Sequence, residues 1–205
     1  MNRHRKNKRT TMPTCPGGSR TAPTILLLTL ILFVAVFATS CLDWSDEASP
    51  ALRDNDDTTG EVWTDSTSGL MWQVTPTGGD LTWSSAKSYC AGLGYGGHSD
   101  WRLPTISELR SLIRGCAATE TGGSCGVKDS CLDSLCWDDS CDGCSDGGGP
   151  ADGCYWPSQM DGTCGWYWSS SAVADDGGYA WDVYFDYGAV DNYGDDGGDY
   201  ARCVR

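Results

Sequence analysis

Ten cysteines fall between Cys90 and Cys203, and eight of them lie between Cys116 and Cys164. The densest stretch, residues 136–144, reads CWDDSCDGC. A segment like this organises a metal, carries redox chemistry, or is crosslinked, and each option needs different surroundings. Structural zinc takes paired C-x-x-C-type arms, often with histidine. Here Cys141-Asp142-Gly143-Cys144 is the one C-x-x-C, and His98 is the only histidine after His4. A redox pair needs a low thiol pKa, which flanking aspartates oppose, and a strand-to-helix setting that these Gly, Ser and Asp neighbours do not offer. An even number of cysteines in an exported chain reads as a disulfide framework. The compartment therefore decides.

The first forty residues supply it. Arg3, Arg5, Lys6, Lys8, Arg9 and Arg20 precede the first acid, Asp43, and an apolar run follows from Ile25 to Ala38. Fourteen helical residues reach about 21 Å, short of a ~30 Å bilayer core. A basic n-region, a short h-region and small residues behind it describe a secretory signal. Ala38-Thr39-Ser40 before Cys41 resembles a bacterial lipobox, with Ala38 where leucine is usual. Cys41 is then the lipidated mature N-terminus, and Leu42 after it favours outer-membrane sorting. Met12 competes with Met1 as the start. A plain signal peptide and an uncleaved anchor are the alternatives. The expected organisation is a lipoprotein signal over 1–40, an acidic flexible spacer over 41–60, and a domain over 61–205 in the bacterial cell envelope.

Six of the 14 Lys and Arg precede Cys41 and all 28 Asp and Glu follow it, so the exported part carries a net charge of −20 (eight cations less 28 carboxylates). Such a body repels phosphate backbones and lacks the basic stripe that nucleic-acid binding requires. It also disfavours an anionic lipid face, leaving the N-terminal lipid as the expected membrane contact.

From Gly115 to Gly165 apolar periodicity is sparse: Val127, Leu132, Leu135, Trp137 and Trp156 stand nearly alone. Ordering a residue costs ~1–2 kcal/mol, and each disulfide recovers roughly 2–4 kcal/mol, so bridges stand in for a core. Spacing alone does not choose among the 105 pairings that eight cysteines allow. Elsewhere the patterns are stronger. Glu61–Thr64 and Leu70–Gln73 read as short strands about a turn. Trp83, Ala86, Cys90 and Leu93 share a helical face, capped by Thr82 and ended at Gly92 or Gly94. Thr105-x-x-Glu108 is a capping box opening a helix with Ile106, Leu109, Leu112 and Ile113 on its apolar face. WYWSSS (166–171), YAWDVYFDYG (179–188) and YARCVR (200–205) read as strands, the second alternating Tyr179, Trp181, Val183, Phe185 and Tyr187 against Ala180, Asp182, Tyr184 and Asp186. The order gives an α+β domain with two helices beside short antiparallel strands and a disulfide-rich insertion at about 115–165.

GLMWQ (69–73), DWRLPTISELRSL (100–112), YWSSS (167–171), AWDVYFDYG (180–188) and ARCVR (201–205) resemble the successive signature blocks of the Lcl C-terminal domain, a family of bacterial surface proteins. The resemblance runs from about Val62 to Arg205. It implies a C-type-lectin-like fold, in which a cysteine of the first helix pairs with one in the last strand. Carried over, that joins Cys90 to Cys203 and leaves Cys116, Cys125, Cys131, Cys136, Cys141, Cys144, Cys154 and Cys164 to pair among themselves.

Trp101 and Arg102, with Glu108, are ligand-groove candidates, against readings as core and cap. Trp166, Tyr167 and Trp168 offer flat aromatic surface suited to sugar rings, at least one facing outward if the strand is half-buried. Calcium takes six to eight oxygens on loops. Asp138, Asp139, Asp142 and Asp146 form one candidate donor run, and Asp191, Asn192, Asp195, Asp196 and Asp199 another; a solvated acidic face is the alternative. Neither run matches an EF-hand, and the lectin calcium/sugar triplets are absent. No catalytic motif surrounds His98. The expected function is an adhesin- or lectin-like binding module for a glycan or surface protein, the alternative a structural envelope protein without a dedicated ligand.

Overall fold

The computed structural model describes residues 60–205. The expected signal segment, Cys41 and the expected spacer up to residue 59 lie outside the described residues. Among those described, no helix is long and apolar enough to cross a membrane.

The described residues form an α+β fold with five disulfides. Strands β1 (Val62–Thr64) and β2 (Met71–Gln73) form an antiparallel hairpin, followed by helices α1 (Trp83–Ala91) and α2 (Ile106–Arg110). After the cysteine-rich segment come β3 (Trp166–Ala172), β4 (Tyr179–Tyr184) and β5 (Ala189–Gly194), an antiparallel sheet with β4 at its centre. Both helices start as their caps dictate. The Thr82 side chain accepts from Ser85 N–H, and Thr105 and Glu108 form the reciprocal capping box. Asp129, from the insertion, adds to that second cap by accepting from Ser107 N–H at 3.1 Å and the Thr105 hydroxyl at 2.8 Å. Helix α2 is shorter than its apolar face suggests: it stops at Arg110, and Leu112 and Ile113 continue in tighter turns onto Leu109 and Arg110 carbonyls.

Two expectations about strands are corrected. The segment 179–188 is not one strand; it turns after Tyr184 and returns as β5, with Gly188 at φ +62° closing the turn. The tail YARCVR makes only isolated bridges, yet those bridges are central. Val204 pairs with both Trp72 and Arg102, and Tyr200 runs parallel to Tyr167. The backbone of Met71 exchanges hydrogen bonds with Arg205 at 3.0 and 3.1 Å, so the hairpin and the tail are stitched together.

The three-stranded sheet is covered on both faces. On one face Tyr167, Trp181, Val183 and Phe185 pack with α2 and with insertion residues including Val127, Tyr155 and Trp156. On the other, Trp168 and Ala180 pack with Ala86, Cys90, Trp101 and Cys203. The expected half-buried alternation therefore fails along β4, where Ala180 and Asp182 are as buried as Trp181 and Val183.

The insertion holds two short 3-10 turns, Ser134–Cys136 and Asp139–Cys141, and its order comes from crosslinks. The bridges are Cys116–Cys144, Cys125–Cys141, Cys131–Cys136 and Cys154–Cys164, and Cys90–Cys203 ties α1 to the tail. Two buried arginines do comparable work without a carboxylate partner. Arg110 fans its guanidinium over the carbonyls of Thr119, Glu120, Cys125 and Val127. Arg202 donates to the carbonyls of Gln73, Val74 and Asp161, with Trp156 and Tyr167 rings about it. Burial pulls both guanidinium pKa values below their ordinary range. The planar five-donor fork explains why arginine suits such a place.

Candidate functional site

Of the aromatic run 166–168, two members are lost to the core. Tyr167 and Trp168 are fully buried. Tyr167 donates its hydroxyl to Thr163 O at 2.8 Å, and the Trp168 indole N–H reaches Leu81 O at 2.7 Å. At least one of the three was expected to face outward on a half-buried strand; both sheet faces are in fact covered, and Trp166, at the strand's first position, is the one left half-buried.

Trp166 pairs across the sheet with Tyr184, the last residue of β4. Their rings stack at 4.4 Å with 6° between planes. The turn that follows brings Tyr187 onto Tyr184 at 5.3 Å and 25°, completing a row of three half-buried rings. Phe185 between them points into the core. The insertion lies along the same turn. Cys144 N–H donates to Tyr187 O at 2.7 Å and Gly147 N–H to Asp186 O at 3.0 Å. Gly143, at φ +87°, allows this approach, since a Cβ there would collide with the Tyr187 carbonyl.

The polar groups around the rings complement one another. Tyr184 donates its hydroxyl to Asp186 Oδ2 at 3.2 Å. Burial and the Asp186 carboxylate push the Tyr184 phenol up to about 12. The Tyr187 phenol is raised by its bond to Asp146 and by burial. Burial and the neighbouring Asp146 also raise the Asp186 carboxyl. Phenol hydroxyls and aspartate oxygens thus lie together beside flat apolar surface. That combination suits a ligand rich in neutral hydroxyls and repels an anionic one. Of these residues, Trp166 and Asp146 were singled out by sequence and Tyr184 and Tyr187 were not. Strand periodicity put the two tyrosines on opposite faces, and only the Phe-Asp-Tyr-Gly turn signal at 185–188 could have joined them.

The other sequence candidates are placed elsewhere. Trp101 is core, its indole N–H bonded to the Tyr95 and His98 carbonyls at 3.0 and 3.2 Å. Arg102 forks onto Glu108, two bonds of 2.6 Å each. His98 and Tyr95 exchange backbone hydrogen bonds across Gly96-Gly97, a tight hairpin. Asp138 caps a 3-10 turn through Ser140 N–H, and Asp139 and Asp142 are exposed near it. Asp191 and Asn192 belong to β5, opposite Asp182 and Trp181. Asp195 is half-buried and Asp196 exposed, while Asp199 is buried and its backbone pairs with Leu81. Among the described residues no three His, Cys, Asp or Glu side chains converge as a metal site. Two clefts of about 470 Å³ lie elsewhere, one against Gln73, Tyr89 and Tyr95, the other against Asp65, Ser111 and Arg114.

Glu108 gives a pH prediction. Burial would raise its carboxyl, but Arg102 and the Thr105 N–H outweigh that and hold it below the ordinary 4.5. The folded pKa is depressed, so the stabilisation is complete above 4.5 and is lost as pH falls through the folded value. In urea melts between pH 6 and 2.5, Glu108→Gln should flatten the acid limb in that window. An unchanged limb would mean the carboxylate does not couple to folding.

The family model for the Lcl C-terminal domain matches residues 61–205. Comparison with curated proteins finds no match.

Proposed function

The chain belongs to the Lcl C-terminal domain family, and from that premise we propose that it is a binding module, displayed by an envelope lipoprotein, that takes a neutral glycan at Trp166, Tyr184 and Tyr187. The observation that carries this reading is the row of three half-buried rings flanked by Asp146 and Asp186. Sugar rings pack their C–H faces on aromatic surface, and their hydroxyls pair with phenols and carboxyls. A net charge of −20 beyond Cys41 sets the same preference from a distance, since a sulfated polymer would be repelled. We read the fold as C-type-lectin-like, supported by the bridge from the α1 cysteine to the tail. We read the role as binding, with the aromatic row as support; every cysteine of the described residues is held in a bridge.

The test is a glycan array probed with the protein and with Trp166→Ala. Neutral glycans should bind, and the truncation should weaken them about tenfold or more, the scale of a central aromatic contact. EDTA should leave binding unchanged. Binding confined to sulfated glycans, or undiminished in Trp166→Ala, would overturn the assignment of this site. An array with no hits would favour the structural role, for which the five bridges are the supporting observation.

The display half of the proposal rests on Cys41. Cys41→Ser should move the protein from the membrane to the soluble fraction and abolish palmitate labelling. Retention of the mutant in membranes would rule out lipid anchoring.

A further inference from the structure

Leu135 sits at the apex of the insertion's first 3-10 turn with 93% of its surface exposed; among the described residues the other exposed large hydrophobic is Tyr179, at 43%. The backbone that carries it is tied down on every side. Cys131 and Cys136 are bridged, five residues apart. Leu132 O accepts from Ala174 N–H at 2.9 Å and from the Trp181 indole at 3.0 Å. Ser134 gives both its N–H and its hydroxyl to the Asp175 carboxylate, at 2.7 and 2.6 Å. The Trp137 indole reaches Val190 O at 2.8 Å. A single exposed leucine on a mobile loop would mean little. A leucine held out from a loop fixed at 131, 132, 134, 136 and 137 is a preorganised anchor, with little ordering left to lose on docking.

The neighbours select the partner. Asp133, Asp138 and Asp139 are exposed within four residues of it, and Asp175 is bound to the residue before it. The one cation nearby in sequence is Lys128, on the far side of the bridge. We propose that Leu135 is a docking knob for a protein partner that offers an apolar socket rimmed by lysine or arginine. A second copy of this chain would bring the same acidic rim, and an anionic membrane the same sign of charge, so both are disfavoured by repulsion. The surface is separate from the aromatic row, and neither reading depends on the other.

The purified full chain can be titrated with a labelled amphipathic helix of about 14 lysines and leucines, and with its counterpart in which glutamate replaces lysine. The lysine peptide should bind and the glutamate peptide should not. Leu135→Ser should weaken binding at least tenfold with an unchanged thermal melt, and Leu135→Met should retain it. Asp133→Asn/Asp138→Asn/Asp139→Asn should reduce its salt dependence. Absence of binding, or equal binding by Leu135→Ser, overturns the proposal. So does Leu135-dependent self-association in sedimentation, or Leu135-dependent binding to phosphatidylglycerol vesicles, which would assign the knob to a second copy or to lipid.

Discussion

A Cys90→Ser/Cys203→Ser variant is expected to melt roughly 10–15 °C below the parent under non-reducing conditions, the largest loss of any single bridge. The bridge closes 113 residues. Loop-closure entropy for about 100 residues is worth ~4–5 kcal/mol, and a domain of this size loses ~2–4 °C per kcal/mol. The native state loses contacts as well. Both half-cystines are fully buried with Trp101 and Trp168. The Cys203 backbone is also held by Gln73, which donates from its main chain at 3.0 Å and accepts on its side chain at 3.1 Å. Removing Cys131–Cys136, five residues apart, should cost about half as much by the same relation. Calorimetry of the two variants decides the matter: if the short bridge matters more, closure of the unfolded chain is not the main contribution.

Arg110→Ala should be the costliest substitution of a single charged side chain, at roughly 3–5 kcal/mol. Four carbonyls converge on its guanidinium at a site 4% exposed. Truncation strands them away from water, at ~1–3 kcal/mol for each one that finds no substitute. The segment from Thr119 to Val127 has only Thr119, Cys125 and Val127 as other buried anchors, so it should become the first site of proteolysis. Arg110→Lys should not rescue, because an ammonium cannot reach carbonyls spread around a planar fork. A urea midpoint unchanged in Arg110→Ala, or fully restored by lysine, would refute the clamp.

These two arginines show where sequence reading stops. Thr82, Thr105 and Glu108 announced both helix starts because capping is local chemistry, satisfied within a few residues. The hairpin and the opening of β3 were legible for the same reason. Arg110 and Arg202 were not, since arginine is seldom buried and the carbonyls that receive it are distant in sequence. The run 166–168 was read as turning at least one ring outward, on the assumption of one open sheet face. A crosslinked segment with little periodicity of its own supplies the cover for that face, and alternation loses its meaning once both sides are packed. The aromatic row was half legible: Trp166 could be named, but its partnership with Tyr184 and Tyr187 depends on strand register and on where β4 turns.

The bridge from α1 to the tail also sets a mechanical path. A pull entering at Gly60 meets the β1–β2 hairpin and then α1, and at Cys90 it reaches a covalent junction with Cys203. A pull that leaves at Arg205 crosses this bridge and bypasses the loop it closes. Only the stretch before Cys90 can pay out as slack, about 30 residues or ~100 Å at full extension. Under flow or shear, a domain held from its N-terminal side would lengthen by that amount and then stiffen.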